Sequence, residues 1–242
     1  MLSITTSWDD GDVLDIKLAS LLDRYGIKGT FYISQNYREN RLTDDAVRAL
    51  SQRHEIGAHT LTHPNLPKVS HEQKVREVVG SKQWLEGVIG KEVPMFCYPI
   101  GRLDAETEKV VRDAKFCGAR TTVQGNIRPV NNAYQLPTTL HVYPMPFRKS
   151  GPYTYVWTRL LDPVIERGQM FRDLGVPWFA FRSWGALAKS TFDIAHRNGL
   201  VFHLWGHSWE IEKFGMWNEL ESVLKYIGNR SDCRYVTNSD LI

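Results

Sequence analysis

The chain of 242 residues has only three cysteines, Cys97, Cys117 and Cys233, an odd number at wide spacing. That excludes a disulfide framework and any Cys-x2-Cys metal site, so reduced and mostly buried thiols are expected. No run approaches the ~20 consecutive apolar residues that a membrane-spanning helix requires. A basic segment followed by an apolar stretch, the mark of a secretory signal, is also missing from the start, and strand-like sequence begins at Leu2. Cytoplasmic residence is the expectation that follows. Charge of one sign is scarce as well. Thirty Lys and Arg residues against 27 Asp and Glu leave a net charge of +3, and the cations are scattered, so no electrostatic footprint for nucleic acid is present.

The remaining composition is that of a globular enzyme, with 42% hydrophobic and 24% charged residues. A chain of this length buries a full core. Strand-like and helix-like segments alternate in the manner that builds parallel βαβ units. Leu14, Leu18, Leu21, Leu22 and Tyr25 recur at helical spacing before Gly26. Ser70 and Gln73 have capping-box spacing at the head of a helix that Gly90 closes, and Asp104 caps another. Strands are expected at Leu2 to Trp8, Gly29 to Ser34, Glu55 to Ala58, Met95 to Tyr98, Cys117 to Val123 and Val201 to Trp205. No repeat or linker interrupts the pattern, so residues 1–242 are expected to form a single catalytic domain. The exception is an irregular, aromatic-rich insertion at about 143–184, too long for an ordinary connection. Its aromatics either pack down on the body of the fold or form a lid or subunit contact, with Tyr153 and Tyr155 the candidates for gripping a sugar ring.

Two groups of residues carry chemistry. The first strand runs into adjacent aspartates, Asp9 and Asp10, and about fifty residues later come His59 and His63. Two carboxylates and two imidazoles match the ligands and base of a hydrolytic metal site. Four-residue spacing places both rings on one face of a helical turn, and Pro64 then implies that His63 closes a single turn. Each group also has a plainer reading. The Asp-Asp-Gly-Asp run suits a turn or helix cap, and two histidines four apart occur on solvated loops. His203 and His207 flank an apolar run and are equally compatible with satisfied structural histidines.

Taken together these residues resemble a family. Ser7-Trp8-Asp9-Asp10 is similar to the Thr-Phe-Asp-Asp motif of the polysaccharide deacetylases, the NodB-homology group of carbohydrate esterases. His59-Thr60-Leu61-Thr62-His63 matches that group's His-Ser/Thr-x-x-His motif. Phe96 to Gly101 falls where the group has a Pro-containing loop, and Leu204-Trp205-Gly206-His207 fits its late Leu-x-x-His motif. The resemblance implies an α/β fold, an irregular seven- or eight-stranded (β/α) barrel with its site at the C-terminal strand ends. It further implies that Asp10, His59 and His63 are ligands of Zn2+ or of another divalent metal such as Co2+, Ni2+ or Mn2+. Asp9 becomes the general base and His207 the general acid, with the backbone N–H of Ile100 contacting the oxyanion.

Two departures stand out. Cys97 occupies the place where many relatives carry an arginine that orients the base, and Arg102 and Arg120 are candidate replacements, of which Arg120 at a strand end is better placed. The motif that supplies a carboxylate to the acid histidine is missing after Cys117, leaving Glu210 as a candidate. The expected activity is metal-dependent hydrolysis of a C–N amide bond, removing acetyl from an N-acetylated amino sugar in a glycan or glycan precursor. A carbohydrate-binding protein that kept the fold without turnover, and a hydrolase of a small non-sugar amide, are the alternatives. The expected partner is thus an N-acetylated sugar, with no nucleic acid and no membrane span, and an oligomer is compatible with the sequence.

Overall fold

The computed structural model describes residues 1–146 and 162–242, with 162–167 described by backbone alone. Eight strands, β1 (Leu2–Asp10), β2 (Gly29–Ile33), β3 (Glu55–Ala58), β4 (Met95–Cys97), β5 (Gly118–Arg120), β6 (Leu140–His141), β7 (Val201–Gly206) and β8 (Cys233–Tyr235), form one sheet. Their order is β5-β4-β3-β2-β1-β7-β6, with β8 paired to β1 off this path, and every pairing is parallel. The helices are α1 (Asp15–Arg24), α2 (Asp44–Leu50), α3 (His71–Ile89), α4 (Ala105–Asp113), α5 (Asp162–Asp173), α6 (Trp184–Asn198), α7 (Ser208–Lys213) and α8 (Trp217–Ile227). Helices between parallel strands return the chain to the same end of the sheet each time. All the strand ends therefore open toward one face.

The sheet curls into an irregular barrel, as the resemblance implied. Its edges β5 and β6 do not pair directly. An irregular segment spans the seam: Leu136 bridges to Arg120, and the Thr139 N–H donates to the His203 carbonyl at 2.9 Å. Local signals are met where they were expected. Ser70 Oγ accepts the Gln73 N–H and Gly90 ends α3 at φ 69°, while Asp104 caps α4 through the Thr107 N–H at 2.7 Å. Among the described residues no helix is long and apolar enough to cross a membrane.

Two expectations require correction. The thiols are mostly buried as expected, at Cys97 and Cys233, but the strand expected from Cys117 to Val123 is only Gly118–Arg120, so Cys117 lies in the turn after α4 and is exposed. The stretch 143–184 is not irregular throughout. Asp162–Asp173 is a helix and Trp184 begins another, capped by Ser183, whose Oγ accepts the Ala186 N–H at 3.1 Å. Tyr153 and Tyr155 lie outside the described residues.

The barrel interior is partly polar, and Asn238, beyond β8, is its hub. Its side chain accepts from the Tyr32 hydroxyl at 2.9 Å and donates to Thr5 Oγ1 at 2.9 Å, while its N–H donates to Thr30 Oγ1 at 2.9 Å. Asn238 is fully buried. Asn238→Ala strands Tyr32 and Thr5 without water, so a loss of about 2–4 kcal/mol in chemical denaturation is expected. A loss below about 0.5 kcal/mol would show that these groups find other partners.

Candidate active site

The strand ends bring together what the sequence separates. Asp9 and Asp10 end β1. On a regular strand consecutive side chains point to opposite faces, but Asp10 adopts φ 81°, which lets both carboxylates enter the barrel mouth. Asp12, two residues on, accepts the Leu14 N–H at 3.1 Å, so the acidic run is a turn as well as a site. His59 follows β3 directly. The expected helical turn from His59 to His63 is not formed. Thr60 and His63 have φ 66° and 58°, and the chain bends instead, held by the buried Glu77 of α3. The Glu77 carboxylate accepts the N–H groups of Leu61 and Thr62, both at 2.8 Å, and the Thr62 hydroxyl at 2.7 Å.

Asp10 Oδ1 lies 3.7 Å from His59 Nε2 and 3.7 Å from His63 Nε2. It is buried and has no hydrogen-bond partner, an arrangement that is costly unless something else engages the oxygen. The Cys97 carbonyl can only accept, so at 2.8 Å it places the His59 proton on Nδ1 and leaves the Nε2 lone pair facing Asp10. Burial pushes both histidines down to about 4, so each ring is neutral near pH 7. Two neutral imidazoles and an orphaned carboxylate oxygen converging on one point fit a zinc-like divalent ion.

Asp9 differs. Burial raises the affinity of its carboxyl for a proton, but the Arg120 guanidinium, with His59 and His207, overrides this and holds the group below the usual carboxylate range. Arg120 Nη2 donates to Asp9 Oδ1 across the barrel interior. Arg120 is fully buried, and its guanidinium lies 5.2 Å over the Tyr32 ring and 4.8 Å over Trp205. Cys97, its register partner on β4, lies 3.9 Å from Asp9 Oδ2 with a thiol that burial keeps protonated. Arg102, the other candidate, is exposed.

His207 sits opposite, at the N-terminus of α7. Its Nε2 is 4.0 Å from Asp9 Oδ2 and 4.0 Å from Asp10 Oδ2, and its Nδ1 lies 2.6 Å from Glu210 Oε2. Burial opposes the charged ring, yet Glu210 and the two aspartates outweigh it and raise His207 to about 9. His203 lies deeper, its Nε2 at 2.8 Å from Ser7 Oγ and its Nδ1 at 3.1 Å from the Pro137 carbonyl, and burial pushes it down to about 3. It does not line the cleft.

That cleft, about 340 Å³, is lined by Asp9, Asp10, His59, His63, His207 and Ile100, so the structure brings six of the seven expected site residues to one cleft, with Arg120 behind Asp9. Ile100 is 60% exposed, with φ 58° in the loop after β4. Tyr37, Tyr98, Thr122, Gln124, His141, Trp205 and Trp209 complete the lining. Sequence reading singled out none of these seven for a role. His141 stacks on Trp205 at 4.0 Å and 11°, and its Nε2 lies 3.3 Å from Glu210 Oε2. Trp205 was detectable, since residues two apart on a strand share a face and His207 follows at that spacing. His141, on a strand of two residues, carried no signal.

Residues 2–119 match the model of the polysaccharide deacetylase family. Among curated proteins, YxkH of Bacillus subtilis, assigned to the polysaccharide deacetylases, is 26% identical over 126 residues, 50% of this chain and 45% of that protein. The peptidoglycan-N-acetylglucosamine deacetylase of Bacillus cereus is 28% identical over 98 residues, 40% of this chain and 35% of that protein. The chain thus spans less than half the length of these relatives. Similarity of fold extends further. A Mycobacterium smegmatis protein assigned to the polysaccharide deacetylases aligns with a TM-score of 0.70 at 13% identity, covering 99% of this chain and 88% of the other. A family 4 acetyl xylan esterase from Clostridium thermocellum, in complex with a cobalt ion, aligns with a TM-score of 0.59 at 16% identity, covering 100% and 90%.

The histidines make ion-free stability depend on pH. His59 and His63 at about 4 and His203 at about 3 refuse protons that the unfolded chain accepts near 6.5. Stability therefore falls as pH drops from 6.5, by up to ~1.4 kcal/mol per pH unit for each histidine. His207, raised to about 9, contributes fully below 6.5 and loses that contribution as pH rises through 9. Chelator-treated protein should accordingly show a lower denaturation midpoint at pH 5 than at pH 6.5. A midpoint that rises on acidification would contradict the buried neutral histidines.

Proposed function

The chain belongs to the polysaccharide deacetylase family, and on that premise we propose that it is a metal-dependent hydrolase that removes acetyl from an N-acetylated amino sugar. One observation carries the reading: the orphaned Asp10 Oδ1 with His59 Nε2 and His63 Nε2 forms a donor set, while Asp9 and His207, both outside it, stand within 4.0 Å of each other beside it. Deacetylation needs a base for water, an acid for the departing nitrogen and a means of polarising the carbonyl. A divalent ion held by Asp10, His59 and His63 supplies Lewis acidity toward the amide and makes water more acidic.

The chain's own groups do the rest. Asp9, kept ionised by Arg120, takes the proton of the attacking water. His207 is held by Glu210 through Nδ1, so its Nε2 faces the cleft and hands a proton to the leaving nitrogen as the C–N bond breaks. The Ile100 backbone N–H, in the loop after β4 that lines the cleft, contacts the oxyanion. Tyr37 and Trp209 line the cleft, each with one ring face taken by His63 or Arg38, and the aromatic surface that remains suits the apolar face of a sugar ring. The Bacillus cereus relative, a deacetylase of N-acetylglucosamine in peptidoglycan, supports an amino-sugar substrate. Zinc is the proposed native ion, and the cobalt-bound Clostridium thermocellum structure supports a divalent ion in this fold.

Acetate release from N-acetylated amino sugars and from small non-sugar amides, with metal supplied, tests the activity. Release from no sugar would overturn the substrate class. Asp9→Asn should lower turnover by roughly 100- to 10,000-fold with metal content preserved, because the base does not coordinate the ion. Lost metal would make Asp9 a ligand.

His207→Ala should lose most amide turnover yet be substantially rescued on an activated acetate ester, whose leaving group needs no proton. Equal damage on both substrates would remove the acid role.

A further inference from the structure

Asp10 has two oxygens in different circumstances. Oδ1 is orphaned and faces the two histidines, whereas Oδ2 accepts the Trp209 indole N–H at 2.8 Å. Trp209 lies in the first turn of α7, between His207 and Glu210. It is itself covered: the Arg38 guanidinium lies 4.6 Å over its ring and is paired with Asp12 at 3.2 Å, in the same turn as Asp10. The neighbouring Tyr37 stacks on His63 at 4.0 Å and 15°. One loop thus places consecutive side chains against one ligand and against the donor that holds another.

We infer that Trp209, backed by Arg38, is a positioning residue that commits Asp10 to donation through Oδ1 alone and thereby sets the affinity of the site for its ion. The inference rests on the assignment of Asp10, His59 and His63 as ligands. The physical reason is that a carboxylate with both oxygens free can rotate or chelate through both, and each alternative moves Oδ1 off the point where the imidazoles converge. An N–H on Oδ2 fixes the plane of the group, and donors of this kind to ligating carboxylates typically alter metal affinity 10- to 100-fold. The indole is the only hydrogen-bond donor to Asp10 Oδ2 among the described residues, so its removal leaves that oxygen with the His207 ring at 4.0 Å and no hydrogen bond to fix its plane. The pair with Asp12 and the stacked guanidinium keep the ring from swinging into the cleft, which explains a cation beside a site that must bind a cation: its charge is taken up by Asp12.

The test is metal binding on the full chain, with zinc titrated against a competing chelator. Trp209→Phe keeps an aromatic ring and deletes the donor. It should weaken zinc by about 10- to 100-fold, with the melting temperature of the ion-free protein within a degree or two of the parent. Arg38→Met, a partly exposed change that does not touch Asp10, should weaken zinc in the same direction by less, and it reads the same property if Trp209→Phe does not fold. Visible absorption of the cobalt(II) proteins gives a second readout. Freed to chelate through both oxygens, Asp10 raises the coordination number, so the bands should weaken in Trp209→Phe. Zinc affinity and cobalt spectrum unchanged from the parent in both variants would overturn the inference and leave the ligand assignment standing. A parent that binds no zinc, or one whose binding survives His63→Ala, would instead overturn that assignment and the inference with it.

Discussion

A guanidinium with no access to water decides the interior of this protein. Arg120 enters from β5, at the far end of the sheet order, and reaches Asp9 on β1 through the middle of the barrel. Burying either charge alone costs several kcal/mol, and removing one member of such a pair typically destabilises by about 3–5 kcal/mol. The two are therefore retained together or not at all. Tyr32 on β2 and Trp205 on β7 flank the guanidinium, so four strands meet at one cation. The pair also keeps ionised the carboxylate proposed as the base, so the strut that holds the barrel mouth is the same object that sets the charge of Asp9.

Strain gathers at the same mouth. Of the six non-glycine residues with positive φ among those described, Asp10, His63 and Ile100 line the cleft and Thr60 lies in the bend between its two histidines. Such conformations cost of order 1–3 kcal/mol each and persist where the surroundings over-determine them. The surroundings here are specific: Glu77 pins the bend that carries the histidines, and Trp209 holds Asp10. The unusual backbone turns neighbouring side chains toward one point, which regular strands do not allow.

Much of the periodic structure was legible because its signals are local. The apolar stripe of α1, the Ser70 cap and Gly90 stop of α3, and the alternation of strands and helices each follow from residues within a turn or two of one another. The cleft was legible through motifs that happen to sit at strand ends. Other features were legible only in part or not at all. The four-residue spacing of His59 and His63 fits a helical turn and a bend equally well, and the deciding interaction comes from Glu77, fourteen or more positions away. The Arg120–Asp9 pair spans 111 positions, and the sequence offered Arg120 only as the better of two candidates, because nothing local says that β5 faces β1 across an interior. Exposure at Cys117 depended on where β5 begins, and strand boundaries are the least determined feature of a sequence. The structure also shows Cys97 and Arg120 to be register partners on adjacent strands, so a charge missing from one strand is present at the neighbouring position of the next.

The placement of β1 has a consequence for how the molecule is made. Its two edges are filled by segments from opposite ends of the chain. β7 takes Ser3 to Trp8 on one side, while on the other β8 takes Leu2 to Ile4 and β2 takes Thr6 to Asp10. Of the eight strands β1 is made before its partners and is among the last to find them all, because its edge along Ser3 to Trp8, just before the two aspartates, stays unfilled until residues beyond 200 have been synthesised. Loop closures of this span are slow, and an exposed strand edge pairs readily with other chains. Nascent chains therefore carry an open strand edge on the same strand that bears the carboxylates, and an early protector in the cell would act to most effect on β1.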